Sequence, residues 1–305
     1  MKNLLSIESL TGDDIRAIVL LTVEMKAQRG KHSSHPLRHQ CWGMMFSKSS
    51  TRTRVSFEVA IRELGGDALF LNASDLQLGR GEPIEDTARV MGQMIHGAVI
   101  RTYGQDEIER FSQFSALPTI NALSDAEHPC QVLADLFTIR DFFGDWRGKK
   151  ICYLGDAACN VSYSWLWAAA RLAGEFRLVL GAPEAYQPSA ELLARVRAAG
   201  ADVTCETDPA VAIKNADIVY TDVWVSMGKE SESQARLQDL SRFQVNGELM
   251  AKAHPAARVM HCLPAYRGQE ITADLLEAHY ETIFAQAGNR LPTQKAILSL
   301  LSKGV

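Results

Sequence analysis

Two hydrophobic patterns alternate along the chain. Short, nearly continuous apolar runs at Cys41–Phe46, Ala68–Leu71, Ala98–Tyr103 and Pro118–Leu123 read as buried strands. Between them, apolar positions recur every three or four residues, as on one face of a helix. Thr11 is placed to cap the first such helix, with Asp13 and Asp14 in its opening turn and Ile15, Ile18 and Val19 on one side. The helix after Cys41–Phe46 should stop at Gly65-Gly66, and a long one, Gln131–Phe143, at Gly144. After a polar turn (Asp145–Lys149) a second series begins: Lys150–Leu154, Arg177–Leu180, Ala201–Cys205, Asp217–Asp222 and Arg258–Cys262. Pro292 falls where the first turn of a last helix is expected, running through Ile297 and Leu301. Strands that are apolar on both faces and separated by helix-length segments form parallel sheets covered by helices. The pattern therefore predicts an α/β protein of two domains, each a parallel sheet flanked by helices, with the boundary near residues 130–150.

A length of 305 residues agrees with two domains at ~150 residues each. With 47% hydrophobic and 22% charged residues the composition is that of a globular protein, which excludes a disordered tail or a rod. A net charge of −4 and the lack of a basic block exclude nucleic acid as the expected partner. No apolar run approaches the ~20 residues that span a bilayer, and the opening Met1–Ser6 lacks the apolar region of a signal peptide, so no membrane partner is expected. The 6 cysteines form no C-x-x-C pair, which points to a reduced, cytoplasmic, soluble protein.

Ligands of open parallel sheets bind at the carboxyl ends of the strands. After the first strand comes Ser47-Lys48-Ser49-Ser50-Thr51-Arg52-Thr53-Arg54, then a helix. Hydroxyls, guanidinium groups and free N–H donors at a helix start suit an anion, although a capped helix with solvated arginines is the plainer alternative. Arg101 ends another strand, and His128-Pro129-Cys130-Gln131 follows a further one; alone, each reads as surface charge or a capped turn. Gly155 is the lone glycine where a dinucleotide turn needs three, and no Walker pattern exists, so no nucleotide cofactor is expected. Asp222 heads a stretch reaching Ser226-Met227-Gly228, and His261-Cys262-Leu263-Pro264 puts a thiol at a strand end. As an isolated cysteine, Cys262 reads as a buried hydrophobe. His32, His35 and His39 imitate ligand spacing, but without nearby Cys or Glu they read as a solvated loop rather than a metal site.

Taken in order, Ser50-Thr51-Arg52-Thr53-Arg54, His128-Pro129-Cys130-Gln131, Asp222 with Ser226-Met227-Gly228, and His261-Cys262-Leu263-Pro264 resemble the transcarbamoylase family. The Ser-Met-Gly and His-Cys-Leu-Pro segments resemble its ornithine carbamoyltransferase branch more narrowly. The similarity runs from Leu4 to the last helix and includes Gln77-Leu78-Gly79-Arg80-Gly81-Glu82 and Asn289-Arg290.

This resemblance implies transfer of a carbamoyl group from carbamoyl phosphate to the δ-amine of L-ornithine, with no metal and no organic cofactor. It implies a carbamoyl phosphate domain over 1–130, to which a final helix at 290–305 returns, and an ornithine domain over 150–285, with the reaction in the cleft. Ser50, Thr51, Arg52, Thr53, Gln77 and Arg101 would hold the phosphate. His128, Arg101 and Thr53 would polarise the carbamoyl oxygen, and Pro129, Cys130, Gln131, Cys262, Leu263 and Arg290 would line the carbamoyl group. Asn160, Asp222, Ser226 and Met227 match ornithine positions; Cys262, Arg101, His128 and Asp222 are the expected catalytic set, with Cys262 as a contact and not a nucleophile. The family similarity also implies a homotrimer or a multiple of trimers, the loop around Gln77 reaching into a neighbour's site. Four residues depart from the family pattern: Ser47 where Glu is frequent, Ala157 and Cys159 in a turn usually richer in Gly and Asn, and Gly288 where Glu usually precedes Asn289-Arg290. Putrescine, N-acetylornithine or aspartate as acceptor, and a catalytically silent homologue, are the competing readings. Asp222 with Ser226-Met227-Gly228 speaks against another acceptor, and the intact phosphate and carbamoyl residues speak against a silent homologue.

Overall fold

A computed structural model describes residues 1–72, 81–225 and 230–302. The chain divides into two compact units, Met1–Phe137 with Gly288–Val305, and Thr138–Ala287. In the first, α1 (Gly12–Ala27), β1 (Cys41–Phe46), α2 (Thr51–Glu63), β2 (Asp67–Asn72), α3 (Ile84–Met91), β3 (Gly97–Arg101), α4 (Gln105–Ser115) and β4 (Thr119–Leu123) lead into α5 (Pro129–Phe143). The second runs β5 (Lys150–Leu154), α6 (Asn160–Arg171), β6 (Arg177–Gly181), α7 (Ala190–Ala198), β7 (Asp202–Glu206), α8 (Pro209–Ile213), β8 (Ile218–Thr221), α9 (Ser233–Leu240), α10 (Gly247–Met250), β9 (Arg258–His261) and α11 (Ala273–Ala278). The final helix, α12 (Tyr280–Leu301), contains the second crossing between units, as α5 contains the first.

Both sheets are wholly parallel among the described residues, in the orders β2-β1-β3-β4 and β7-β6-β5-β8-β9. Every residue of β3, β4 and β8 is buried, including those of β4 at the end of its sheet, where Leu4 bridges to Ile120. The edge strand β2 is only partly buried, and Leu69 on it is exposed. Beneath the first sheet Met45, Ala98, Ile100, Ile108 and Phe111 pack together; Cys152, Leu154, Val219, Val259 and Ile283 do so in the second unit. Thr11 caps α1 through a reciprocal box with Asp14, and Gly65 ends α2 at φ +87.

Two expectations need correction. The last helix starts at Tyr280 rather than near residue 290, and Pro292 lies inside it instead of in its first turn. A proline there withdraws one N–H from the ladder and crowds the carbonyl four residues back. That carbonyl belongs to Gly288, at a position where a side chain would meet nothing within 4 Å. His32, read as part of a solvated loop, is buried at its ring: Lys295 Nζ lies 2.9 Å from its Nε2 and also reaches Glu63. Lys295 is itself fully buried, so His32 and Glu63 satisfy an ammonium that water cannot reach.

Candidate active site

In the first unit the site starts from a helix end with an unusual charge pattern. Ser50, in extended conformation, caps α2: its Oγ accepts the Thr53 N–H at 3.2 Å and donates to Thr53 Oγ1 at 3.0 Å. Helix starts ordinarily gather acidic side chains, because their free N–H groups form a positive pole. The first turn of α2 has none and carries Arg52 and Arg54 instead. Cations on a positive pole repel one another until an anion arrives, so this turn is suited to a phosphate.

The neighbouring strand brings further donors. β1 and β3 pair with Phe46 beside Arg101, and the Ser47 N–H donates to the Arg101 carbonyl at 2.8 Å. From α12, Arg290 donates through Nη2 to Thr53 Oγ1 at 2.8 Å, so residues far apart in sequence meet at the cradle. Arg101, His128, Gln131 and Arg290 are all buried. Burial, then Arg290, then Arg101, hold the His128 imidazole well below its ordinary pKa. At neutral pH it is therefore an uncharged ring beside two cations, able to donate a hydrogen bond but not to add positive charge. Gln131 donates to Asp135 Oδ1 at 2.8 Å, while its buried Oε1 has no hydrogen-bond partner among the described residues. Such an orphaned acceptor fits a ligand that brings N–H groups. Pro129 opens α5 next to His128. The Cys130 side chain is turned away: its thiol donates to the Asn121 carbonyl and burial pushes it up to about 12.

In the second unit adjacent parallel strands place two more residues. β8 and β9 pair with Thr221 beside His261, which sets Asp222 and Cys262 side by side just past the strand ends. The Cys262 thiol donates to Asp222 Oδ1 at 2.7 Å, and the Val223 N–H donates to the same oxygen. Desolvation raises the Asp222 carboxyl above its ordinary pKa, opposed by His261, the thiol and the Val223 N–H. After β5, Gly155 adopts φ +119, and a Cβ there would come within 2.9 Å of the Trp224 indole nitrogen. Only glycine permits that approach. Asp156 accepts from Arg236 Nη1 at 2.7 Å, and the same nitrogen donates to the Trp224 carbonyl. Asn160 is the first residue of α6, and Cys159 faces the Tyr153 hydroxyl at 3.2 Å, its thiol pushed up to about 12 by burial. Gln77, Ser226 and Met227 lie outside the described residues.

Asp222, His261 and Cys262 offer ligand atoms within 4.8 Å of one another. The donor set is nonetheless poor for a metal, because both ring nitrogens of His261 are engaged: Nδ1 accepts the Leu263 N–H at 2.8 Å and Nε2 faces Glu270. Lys48, Arg236 and Glu270 were not among the sequence-derived candidates. Lys48 is buried against Asp125 and over the Tyr103 ring, and Arg236 is buried between Asp156 and Glu232. A single charge on a helix or loop reads as solvated, and only the tertiary partners reveal otherwise.

Both parts of the chain match known proteins. Residues 2–141 match the carbamoyl-P binding domain of the aspartate/ornithine carbamoyltransferases, and residues 147–301 match their Asp/Orn binding domain. The chain is 54% identical to the ornithine carbamoyltransferase of Akkermansia muciniphila, over 99% of its own length and 98% of that protein. Among solved structures it is similar to the ornithine carbamoyltransferase of Pyrococcus furiosus, with 40% identity, a TM-score of 0.92 and coverage of 100% and 98% of the two chains. The anabolic ornithine carbamoyltransferase of Campylobacter jejuni superposes with a TM-score of 0.93 at 38% identity, covering 100% of each. Among the described residues no helix is long and apolar enough to cross a membrane. With both of its halves matched, the chain belongs to the aspartate/ornithine carbamoyltransferase family of enzymes.

Proposed function

We propose that this protein transfers the carbamoyl group of carbamoyl phosphate to the δ-amine of L-ornithine, giving L-citrulline and phosphate, as a step of arginine metabolism. The observation that carries the reading is the α2 start, where a cationic first turn without acids joins buried Arg101, Arg290 and a neutral His128. Ser50, Thr51, Arg52 and Thr53, with Gln77, hold the phosphate. Arg101, His128 and Thr53 face the carbamoyl oxygen, whose negative charge grows as the amine attacks. Gln131 takes a carbamoyl N–H on its orphaned Oε1, and Pro129, Cys130, Cys262, Leu263 and Arg290 complete the pocket, with Cys130 contributing backbone only. The amine lone pair forms the new C–N bond, the C–O bond to phosphate breaks with its electrons leaving on phosphate, and the departing phosphate takes up the proton that the amine loses. Catalysis is positioning and electrostatics, with no covalent enzyme intermediate and no metal or organic cofactor.

Asn160, Asp222, Ser226 and Met227 hold ornithine. A free δ-amine resembles lysine, with a pKa of about 10.4, so presenting it neutral at pH 7.4 costs roughly 4 kcal/mol. A carboxylate beside that amine would add to the cost, so Asp222 serves the α-amino end and Cys262 the reacting end. The six cysteines are free thiols, which supports a reducing, cytoplasmic setting. Assembly into a homotrimer or a multiple of it follows from the family resemblance.

The test is citrulline formation from carbamoyl phosphate and ornithine, with putrescine, N-acetylornithine and aspartate as competing acceptors. Ornithine should be preferred by orders of magnitude; preference for another amine, or no turnover of any, would overturn the reading.

A further inference from the structure

A buried polar chain behind Cys262 has no part in the chemistry described so far. His261, fully buried at the end of β9, is held on three sides. Its backbone N–H donates to Gln286 Oε1 at 2.8 Å, and Gln286 in turn donates to the Tyr220 hydroxyl. Its Nδ1 accepts the Leu263 N–H at 2.8 Å. A backbone N–H can only donate, so Nδ1 is the lone-pair nitrogen and Nε2 carries the proton. That Nε2 lies 3.2 Å from Oε1 of Glu270, a fully buried carboxylate whose Oε1 also accepts the Tyr266 N–H. Glu270 Oε2 is buried with no hydrogen-bond partner among the described residues. A half-satisfied buried carboxylate is costly, and here its directed contacts all end at one turn.

That turn needs holding. Leu263 has φ +58, a left-handed conformation that a residue with a branched side chain adopts only when its surroundings impose it. We propose that Glu270 is a positioning residue: by accepting the Nε2–H of His261 it fixes the imidazole tautomer that holds the Leu263 N–H, and so sets the turn that presents Cys262 and Leu263 to the transferred group. The logic is that of a carboxylate orienting an imidazole, with a backbone N–H rather than a nucleophile at the far end. Without the acceptor the proton can move to Nδ1, where it would oppose the Leu263 N–H and release the turn. The inference rests on the reading that Cys262 and Leu263 line the carbamoyl site.

Glu270→Ala and Glu270→Gln in the full-length protein test it. A turn displaced near the reacting atoms costs on the order of tenfold to a hundredfold in rate. Glu270→Ala should lower kcat by that much while leaving the KM for carbamoyl phosphate within about twofold, because the phosphate cradle lies on other elements. Glu270→Gln keeps an oxygen acceptor and should recover most of the rate. Histidine-selective 15N NMR should show His261 protonated only at Nε2 in the wild type and gaining Nδ1–H in Glu270→Ala. If Glu270→Ala does not fold, Glu270→Met fills the volume without an acceptor and replaces it. A folded acceptor-less variant with wild-type kcat, equal damage from Gln and Ala, or an Nδ1-protonated His261 in the wild type would each overturn the proposal. Failure of the wild type to form citrulline would instead overturn the functional reading, and the tautomer measurement would still decide the relay.

Discussion

If Asp222 holds ornithine as proposed, it serves binding at the expense of stability. Its carboxyl is raised by desolvation, so between the ordinary value and the raised one the folded protein holds more protons than the unfolded chain. Stability therefore falls as pH rises through that window, and the loss persists at neutral pH. Asp222→Asn removes the charge while keeping an oxygen for the Cys262 thiol. It should raise the melting temperature by a few degrees at pH 7–8, a gain that vanishes below about pH 4, where the wild-type carboxyl is protonated too. The same variant should raise the KM for ornithine on the order of tenfold or more, having lost a charged hydrogen-bond acceptor. Thermal melts across pH, paired with ornithine kinetics, check both; a variant less stable at pH 8 would show that the partners outweigh the desolvation. That Asp222 and Cys262 stand at strand ends was legible, since each closes a largely apolar run. Their pairing was not, because it depends on β8 and β9 being neighbours, which an order of elements does not reveal. His128 is a similar case: its motif is local, but its neutrality comes from burial first and then from Arg290 and Arg101, which the sequence keeps far apart.

At the scale of elements, α2 separates stability from activity. Ser50 both caps the helix and belongs to the proposed cradle, whereas the Arg52 side chain, half-buried in the first turn, has no part in the cap. Ser50→Ala should cost about 1 kcal/mol of stability as well as activity. Arg52→Ala should leave the melting temperature unchanged, or raise it slightly by relieving the helix pole, and slow carbamoyl phosphate turnover by at least ~100-fold. Denaturant melts beside steady-state kinetics of the two proteins check the contrast; an Arg52→Ala enzyme with wild-type turnover would count against the cradle. Strand positions were readable to within one or two residues because parallel strands buried on both faces are apolar throughout. The last helix was misread for an equally physical reason. Proline marks helix starts so often that Pro292 suggested one, while the opening turns from Tyr280 carry the exposed aromatics Tyr280 and Phe284, which hide the buried face. Arg290 follows from that correction: it projects from the interior of a continuous helix, not from its start, and donates from there to Thr53.

At the scale of the whole molecule, the proposal that Gln77 completes a neighbouring subunit's site can be tested by mixing defective variants. Gln77 lies outside the described residues, so its role rests on family resemblance. The consequence is quantitative. Arg52→Ala and Gln77→Ala should each be nearly inactive alone. If a site takes Arg52 from one subunit and Gln77 from another, equal mixing with free exchange leaves each contributor intact half the time. About a quarter of the sites then regain both residues, and with them about a quarter of wild-type activity. If both residues served a site within one subunit, mixing would restore nothing, since every subunit carries one defect. Refolding the two variants together, followed by a citrulline assay and light scattering, distinguishes these cases. Restored activity that scales with the product of the two fractions requires sharing, and an active monomer would exclude it.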